Sequence, residues 1–298
     1  MSARAPRPLG DDRLWRYLTL TPAVVVLVAL TVLPIANMAA MSFFQIGWAE
    51  GRAVWTPVGT QNYADLASDN LFRAGLRNTF VFVVVAVATQ IVLGFFLALM
   101  VSRIQRGRTL YRAIFLLPIL IPGIVIGAIW KLMYNFDFGI INQLTGLLGF
   151  MPQDWLGQPS TALLSVIVVD VWHWTPFCFL LLLAGIQSLP EEVFEAARID
   201  GASGWQELWL ITLPMMWPTI IVTAVFRLAV AFKVFDEVFL LTGGGPGTST
   251  EVLSFTIYQR FFTEDRVGYG SALAIVAIFL ASLLLVLTLA ARRREAST

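Results

Sequence analysis

Apolar positions gather into six runs, at residues 17–44, 78–101, 113–134, 161–186, 215–241 and 268–291. Each can hold the ~20 residues that a helix needs to cross the hydrocarbon of a bilayer. The first run carries no charge and is followed by no small-residue cleavage pattern, so it reads as an uncleaved signal anchor. Pro34, Pro118, Pro122, Pro176 and Pro218 lie inside the runs, a placement that transporter helices tolerate. Residues 45–77 are polar and mixed, with a short helix expected near 63–74.

Residues 190–214, PEEVFEAARIDGASGWQELWLITLP, form the longest stretch built for water among segments built for lipid. Pro190 suits a first helical turn, and Glu191, Glu192 and Glu195 complement the positive end of the helix dipole. Val193, Phe194, Ala197 and Ile199 supply apolar surface, and Ala196 beside Ala197 keeps part of it shallow. Gly201 reads as a C-terminal stop with positive φ. Ser203 and Gln206 form a second capping box, so a new helix starts there and Pro214 ends or bends it. The spacing predicts a short amphipathic helix, a glycine turn and a second helix: a shape for docking.

This stretch resembles the EAA-x3-G-x9-I-x-L-P signature of binding-protein-dependent ABC importer permeases, in Glu195-Ala196-Ala197, Gly201, Ile211, Leu213 and Pro214. The resemblance implies a cytoplasmic coupling helix, including Asp200, that sits in a cleft of a separate ATPase subunit. It implies a type I ABC importer permease fold. Along the rest of the chain, Asn62-Tyr63, Asn78-Thr79, YRAIFLLPILIP at 111–122, NFDFGIIN at 135–142, DVWHWTPF at 170–177 and FDEVFLLTGGGPG at 235–247 are similar to the sugar-uptake, maltose-type branch. Without the large extra periplasmic domain and added N-terminal helices of the best-known member, the sequence is expected to be similar to the compact six-span subunits. The implied complex has two permeases (a second subunit or a second copy), two ATPases and an external solute-binding protein, with a carbohydrate as substrate. No cofactor is expected on this chain; ATP and Mg belong to the partner ATPase.

With 58% hydrophobic and 13% charged residues among 298, the composition fits a polytopic membrane protein, since soluble domains carry about 25% charged residues. A net charge of +1 gives no argument for nucleic acid. The single cysteine, Cys178, excludes an intrachain disulfide and a cysteine metal cluster.

Arginine and lysine set the expected orientation. Twelve arginines fall on one side: Arg4, Arg7, Arg13 and Arg16; Arg103, Arg106, Arg108 and Arg112; Arg198; and Arg292, Arg293 and Arg294. Five fall on the other: Arg52, Arg73, Arg77, Arg260 and Arg266. The expected fold is thus an all-α membrane protein with six transmembrane helices and both termini cytoplasmic; the resemblance implies a bacterial inner membrane. Its parts are a basic tail at 1–16, a permease domain at 17–291 with the coupling loop at 188–214, and a tail at 292–298.

Two ionisable residues fall deep in the runs. Arg227 lies ~18 Å from the start of the fifth run and Asp170 ~14 Å from the start of the fourth. Such groups must face protein or a wet cavity and find a partner. One reading places Asp170, Trp172, His173, Trp174 and Arg227 along a sugar pathway, where aromatic faces and directional donors suit a polyhydroxylated solute. The other pairs Asp170 with Arg227, or with the partner permease, to order the bundle. Helical spacing turns Asp170 and Trp174 one way and Trp172 another. Lys233 is spaced to pair with Asp236 or Glu237. Gly243, Gly244, Gly245 and Pro246 read as an outer loop near a gate or as a plain turn; the Walker lysine is absent.

Two alternatives remain beside the sugar reading. An importer permease for a non-sugar solute would share the coupling signature. An intramembrane serine protease would use the GxSG string at 201–204 with His173, but His173 stands ~20 Å of helix from the loop, so Ser203 reads as a cap.

Overall fold

The computed structural model describes residues 12–104 and 107–295, with side chains for 17–104, 107 and 110–288. Most of the expected basic tail and the end of the last tail therefore lie outside the described residues. Helix α1 already begins at Asp12 and runs to Met41, and α13 runs from Val267 to Glu295.

Among the described residues, five helices are long and apolar enough to cross a membrane: Tyr17–Met41, Asn70–Ser102, Ala162–Gln187, Gly204–Ala231 and Val267–Thr288. The third apolar run does not form one continuous helix. It makes α4 (Arg108–Leu116), a 3-10 turn at Pro118–Leu120 and α5 (Gly123–Met133). Pro118 opens the 3-10 turn and Pro122 caps α5, each without an N–H to continue the ladder. Ile121, just before Pro122, is pushed to extended backbone, φ −88° and ψ 128°.

The expectation of an all-α chain is corrected by a hairpin. Strand β1 (Phe44–Ala49) pairs antiparallel with β2 (Arg52–Pro57), with Ile46 opposite Trp55 and Trp48 opposite Ala53. Its two-residue turn, Glu50–Gly51, has both φ positive, the geometry that matches strand twist. The single short helix expected at 63–74 is corrected: α2 spans Gln61–Ser68 and residues 70–74 belong to the next helix. Asp69 then caps α3 (Asn70–Ser102) by accepting from the Leu71 and Phe72 amides, so the second long helix starts eight residues before the apolar run.

The chain divides into two compact units. In the first, up to Asp65 together with Arg260–Ile275, Asn62 donates to the Ser42 and Phe44 carbonyls and Tyr63 bonds Ser42, tying α2 to the end of α1 and to β1. In the second unit α3 packs along α7 (Ala162–Gln187), and α10 (Leu213–Ala231) lies against both. At Gly94 a Cβ would come within 2.8 Å of the Cys178 Cβ and 2.9 Å of the Phe179 amide nitrogen, so only glycine permits this approach. Two apolar clusters result. One joins Phe82, Val83, Ala86 and Val87 to Val166, Ile167 and Val169; the other joins Ala98 and Val101 to Cys178, Phe179 and Leu182. Between the two along both helices stand Gln90 and Asp170.

Candidate functional site

The loop after α7 folds largely as its sequence dictates. Helix α8 spans Glu191–Ile199 with Glu191 and Glu192 in its first turn and Arg198 in its last. Gly201 has φ 82°, where a side chain would be strained. Its amide donates to the Arg198 carbonyl and that of Ala202 to the Ala197 carbonyl, the two bonds of a Schellman stop. Ser203 then accepts from the Gln206 amide while the Gln206 side chain accepts from the Ser203 amide, a complete capping box over α9 (Gly204–Gln206). Ser203 is thus occupied as a cap. Helix α8 buries no side chain: Glu195, Ala196 and Asp200 are exposed, Ala197 is half-buried, and Ile199 is 86% exposed.

Pro214 neither ends nor sharply divides the second helix. A π-helical segment at Glu207–Thr212 leads straight into α10, where Pro214 occupies the first turn and needs no N–H. Ile211 and Leu213 are half-buried and Pro214 is exposed. The outer part of the loop is tied to the inner part by Arg198, whose Nε lies 3.3 Å from Glu207 Oε1.

The second site lies inside the bundle. Arg227 of α10 is wholly buried; its Nε donates to Gln90 Oε1 at 2.7 Å and its Nη2 to Asp170 Oδ2 at 3.0 Å. Gln90 Nε2 donates to the same Asp170 oxygen at 2.7 Å and to the Asp170 carbonyl at 3.0 Å. The guanidinium carbon stands 4.6 Å from the centre of the Trp174 ring, a cation–π contact. Beside this trio, His173 Nδ1 lies 3.2 Å from Glu237 Oε1 of α11 (Asp236–Leu241), with both side chains buried. Glu237 is therefore joined to His173 rather than to Lys233. The expected continuous fifth span is also corrected: α10 ends at Ala231, Phe235 leaves helical geometry, and α11 restarts at Asp236.

Asp170, His173, Trp174 and Arg227 line one cavity of about 240 Å³, together with Lys233 and Asp236. Trp172 does not join them. It projects from the other face of α7, 41% exposed and edge-on to Trp130 at 5.7 Å, because residues two apart on a helix point about 200° apart. Sequence reasoning missed Gln90. Its signal was an amide midway along the apolar run 78–101, a group that must find partners when buried.

The glycine turn is built rather than loose. Thr250 Oγ1 donates to the Gly245 carbonyl and bonds Thr242 Oγ1 at 2.7 Å, and the Thr250 amide donates to the Gly244 carbonyl. Asn78 and Thr79 hold the segment that follows: Asn78 donates to the Thr248 carbonyl at 2.8 Å and Thr79 Oγ1 accepts from the Leu253 amide at 2.9 Å.

Residues 90–295 match the family described as binding-protein-dependent transport system inner membrane component. The chain belongs to that family. It is a membrane-embedded permease and a transport component, not an enzyme. Among similar proteins, the trehalose/maltose transport system permease protein MalF of Thermococcus litoralis is 36% identical over 268 residues, covering 89% of this chain and 88% of that protein. The sulfoquinovosyl glycerol transport system permease protein SmoG of Agrobacterium fabrum is 33% identical, covering 89% of this chain and 86% of that one. A chain in the crystal structure of a bacterial alginate ABC transporter, in complex with an alginate pentasaccharide-bound periplasmic protein, shares the fold: TM-score 0.83 at 24% identity, covering 97% of each chain.

Proposed function

We propose that this permease is the type I membrane subunit of an ATP-driven importer for sugars or sugar derivatives. The sugar class is supported by the names of its relatives, a trehalose/maltose permease and a sulfoquinovosyl glycerol permease among them. The polypeptide crosses a bacterial inner membrane six times, the broken segment from α4 to α5 making the third crossing, with both termini inside. The arginine asymmetry supports that orientation. It pairs with a second permease, or a second copy, receives solute from an external binding protein, and takes its energy from two ATPase subunits that hold ATP and Mg.

One observation carries the coupling role: an exposed helix with no buried side chain, stopped by Gly201 and followed at once by a capped second helix. In this reading Glu195, Ala196, Ala197, Asp200 and Gly201 dock in the ATPase cleft, while Ile211, Leu213 and Pro214 lead the motion into α10. Asp170, His173, Trp174 and Arg227 border the solute path, and the turn at Gly243, Gly244, Gly245 and Pro246 lies at its outer gate.

The test is pull-down of the ATPase, followed by binding-protein-stimulated hydrolysis and sugar uptake in reconstituted vesicles. Gly201→Asp should insert normally yet lose docking or uncouple hydrolysis from uptake, and Glu195→Lys should act likewise. Ser160→Asp, in the opposite loop, should leave docking intact. Wild-type behaviour of Gly201→Asp in all three assays would sink the coupling role. Orientation is tested separately in a Cys178→Ala background: Thr248→Cys should react with impermeant thiol reagents on intact cells, and Gly204→Cys should not.

A further inference from the structure

Three helix ends meet around one cavity of about 370 Å³, lined by Leu99 and Arg103 at the end of α3, Ile186 of α7, and Glu207 and Thr212 of the segment entering α10. Arg103 is the first charged residue after Arg77, and Ile186 closes the apolar run of α7. The level at which α3 and α7 leave the hydrocarbon therefore passes through residues 204–212. Helix length agrees. The span Gly204–Ala231 has 28 residues, ~42 Å at 1.5 Å each, against ~30 Å of hydrocarbon. Its first turns carry Gln206, exposed, and Glu207, held by Arg198, so the surplus lies at this end.

Two indoles stand exposed at that level. Trp205 is 69% exposed and Trp209 53%, about one helical turn apart, with their rings edge-on at 5.6 Å. Leu210 beside them is 71% exposed. Leu208 and Thr212 line the cavity instead, so the tryptophans take another face of the helix. Among the described residues neither indole N–H has a hydrogen-bond partner. The three exposed side chains carry no charge. Exposed apolar residues continue beyond them at Trp217 and Val222, along the membrane-crossing length of α10.

We propose that Trp205 and Trp209 anchor this helix in the headgroup layer of the bilayer, their rings at the ester level and their N–H groups donating to lipid carbonyl or phosphate oxygens. An indole is apolar over its rings and polar at one edge, and tryptophan gathers at membrane–water interfaces for that reason. Depth decides between the bilayer and a protein partner. A soluble subunit that docks on the loop reaches α8, which precedes the boundary; the tryptophans stand on the boundary, where the chain enters lipid. Only Ala202, the Ser203 cap and Gly204 separate Gly201 from Trp205, so the anchor also fixes the depth of the coupling loop.

Tryptophan fluorescence of the assembled transporter in nanodiscs tests this. Subtracting the signal of the Trp205→Phe, Trp209→Phe double variant from that of the wild type isolates the two indoles. Phosphatidylcholine brominated near the ester end of its acyl chains should quench this difference more strongly than the same lipid brominated at mid-chain. Removing the ATPase subunits should leave the quenching unchanged. Quenching by neither lipid, stronger quenching by the mid-chain bromines, or quenching that appears only without the ATPase overturns the proposal. A spin label at Leu210→Cys, in a Cys178→Ala background, keeps both indoles and reads depth directly. Its ratio of collisions with oxygen to collisions with a water-soluble nickel chelate should lie between that of a label in water and that of one at Val222→Cys. A ratio equal to that in water, or a label reached by neither collider, overturns the anchor. Adding Trp205→Ala and Trp209→Ala should shift the ratio; an unchanged ratio means that the indoles do not set the depth. Should the phenylalanine variant fail to assemble, the label in the chain with both indoles decides.

Discussion

The coupling loop and the cluster around Arg227 place polar residues in an apolar chain by opposite means. In the loop, the bonds that set the turn and the caps are short in sequence: Ala202 to Ala197, Ser203 to Gln206, Arg198 to Glu207. In the cluster, Asp170 and Arg227 are 57 residues apart, Gln90 and Asp170 are 80 apart, and Gln90 and Arg227 are 137 apart. The loop leaves apolar side chains uncovered; the cluster stands between two apolar regions of α3 and α7. A local device can lose one part and keep the rest. A buried charge network cannot, since each deletion strands a desolvated partner.

The contrast is sharpest in Arg227→Leu. It leaves the Asp170 carboxylate buried with only Gln90, and the expected loss is about 3–5 kcal/mol of stability. Thermal unfolding of the purified chain in detergent measures it. Adding Asp170→Leu should recover most of that loss, because the pair is then replaced by apolar bulk. Equal melting of the single and double variants would show that the cluster is no more cooperative than the loop.

A smaller effect is expected from Trp174→Leu, which removes the cation–π contact, about 2 kcal/mol when desolvated, while leaving the ion pair in place. The complex should still assemble and sugar uptake should fall. Unchanged uptake would make Trp174 a packing residue and detach the cavity from the solute path.

Gly201→Ala tests the loop alone. A Cβ at φ 82° costs about 1–2 kcal/mol, and all of it should appear in the turn. Hydrogen exchange of the 200–203 amides should accelerate while global melting stays near wild type. A large drop in melting temperature would mean that the loop and the bundle unfold as one unit.

Ser203→Ala should do least. Losing the cap costs about 1 kcal/mol, confined to the first turn of α9. Faster exchange at the Gln206 amide is the readout, and ATPase pull-down should be near normal.

The same contrast explains what could be read in advance. Helix α8, its glycine stop and the second cap were legible because each depends on residues within a few positions of one another. The hairpin was missed: in 45–57 the alternation of Ile46 and Trp48 is short, and a Glu-Gly turn is a weaker signal than Asn-Gly. The third run was read as one span because it is apolar throughout except at Lys131; the break lies in Pro118 and Pro122, whereas α7 carries Pro176 without breaking. Pro214 was expected to end or bend a helix, but a preceding π-helical segment absorbs it.

Sequence by itself determined the membrane class, the apolar runs, the coupling loop and the family resemblance, since hydropathy, caps and motif spacing are properties of neighbouring residues. Tertiary structure alone decided which polar residues meet. Asp170 could have faced a solute, a partner subunit or Arg227, and helical periodicity fixes only the face from which it projects. The approach of α3 to α7 at Gly94 and the passage of α10 across both brought Gln90 and Arg227 to it. Burial then favours their meeting, because a buried polar group without a hydrogen-bond partner is costly.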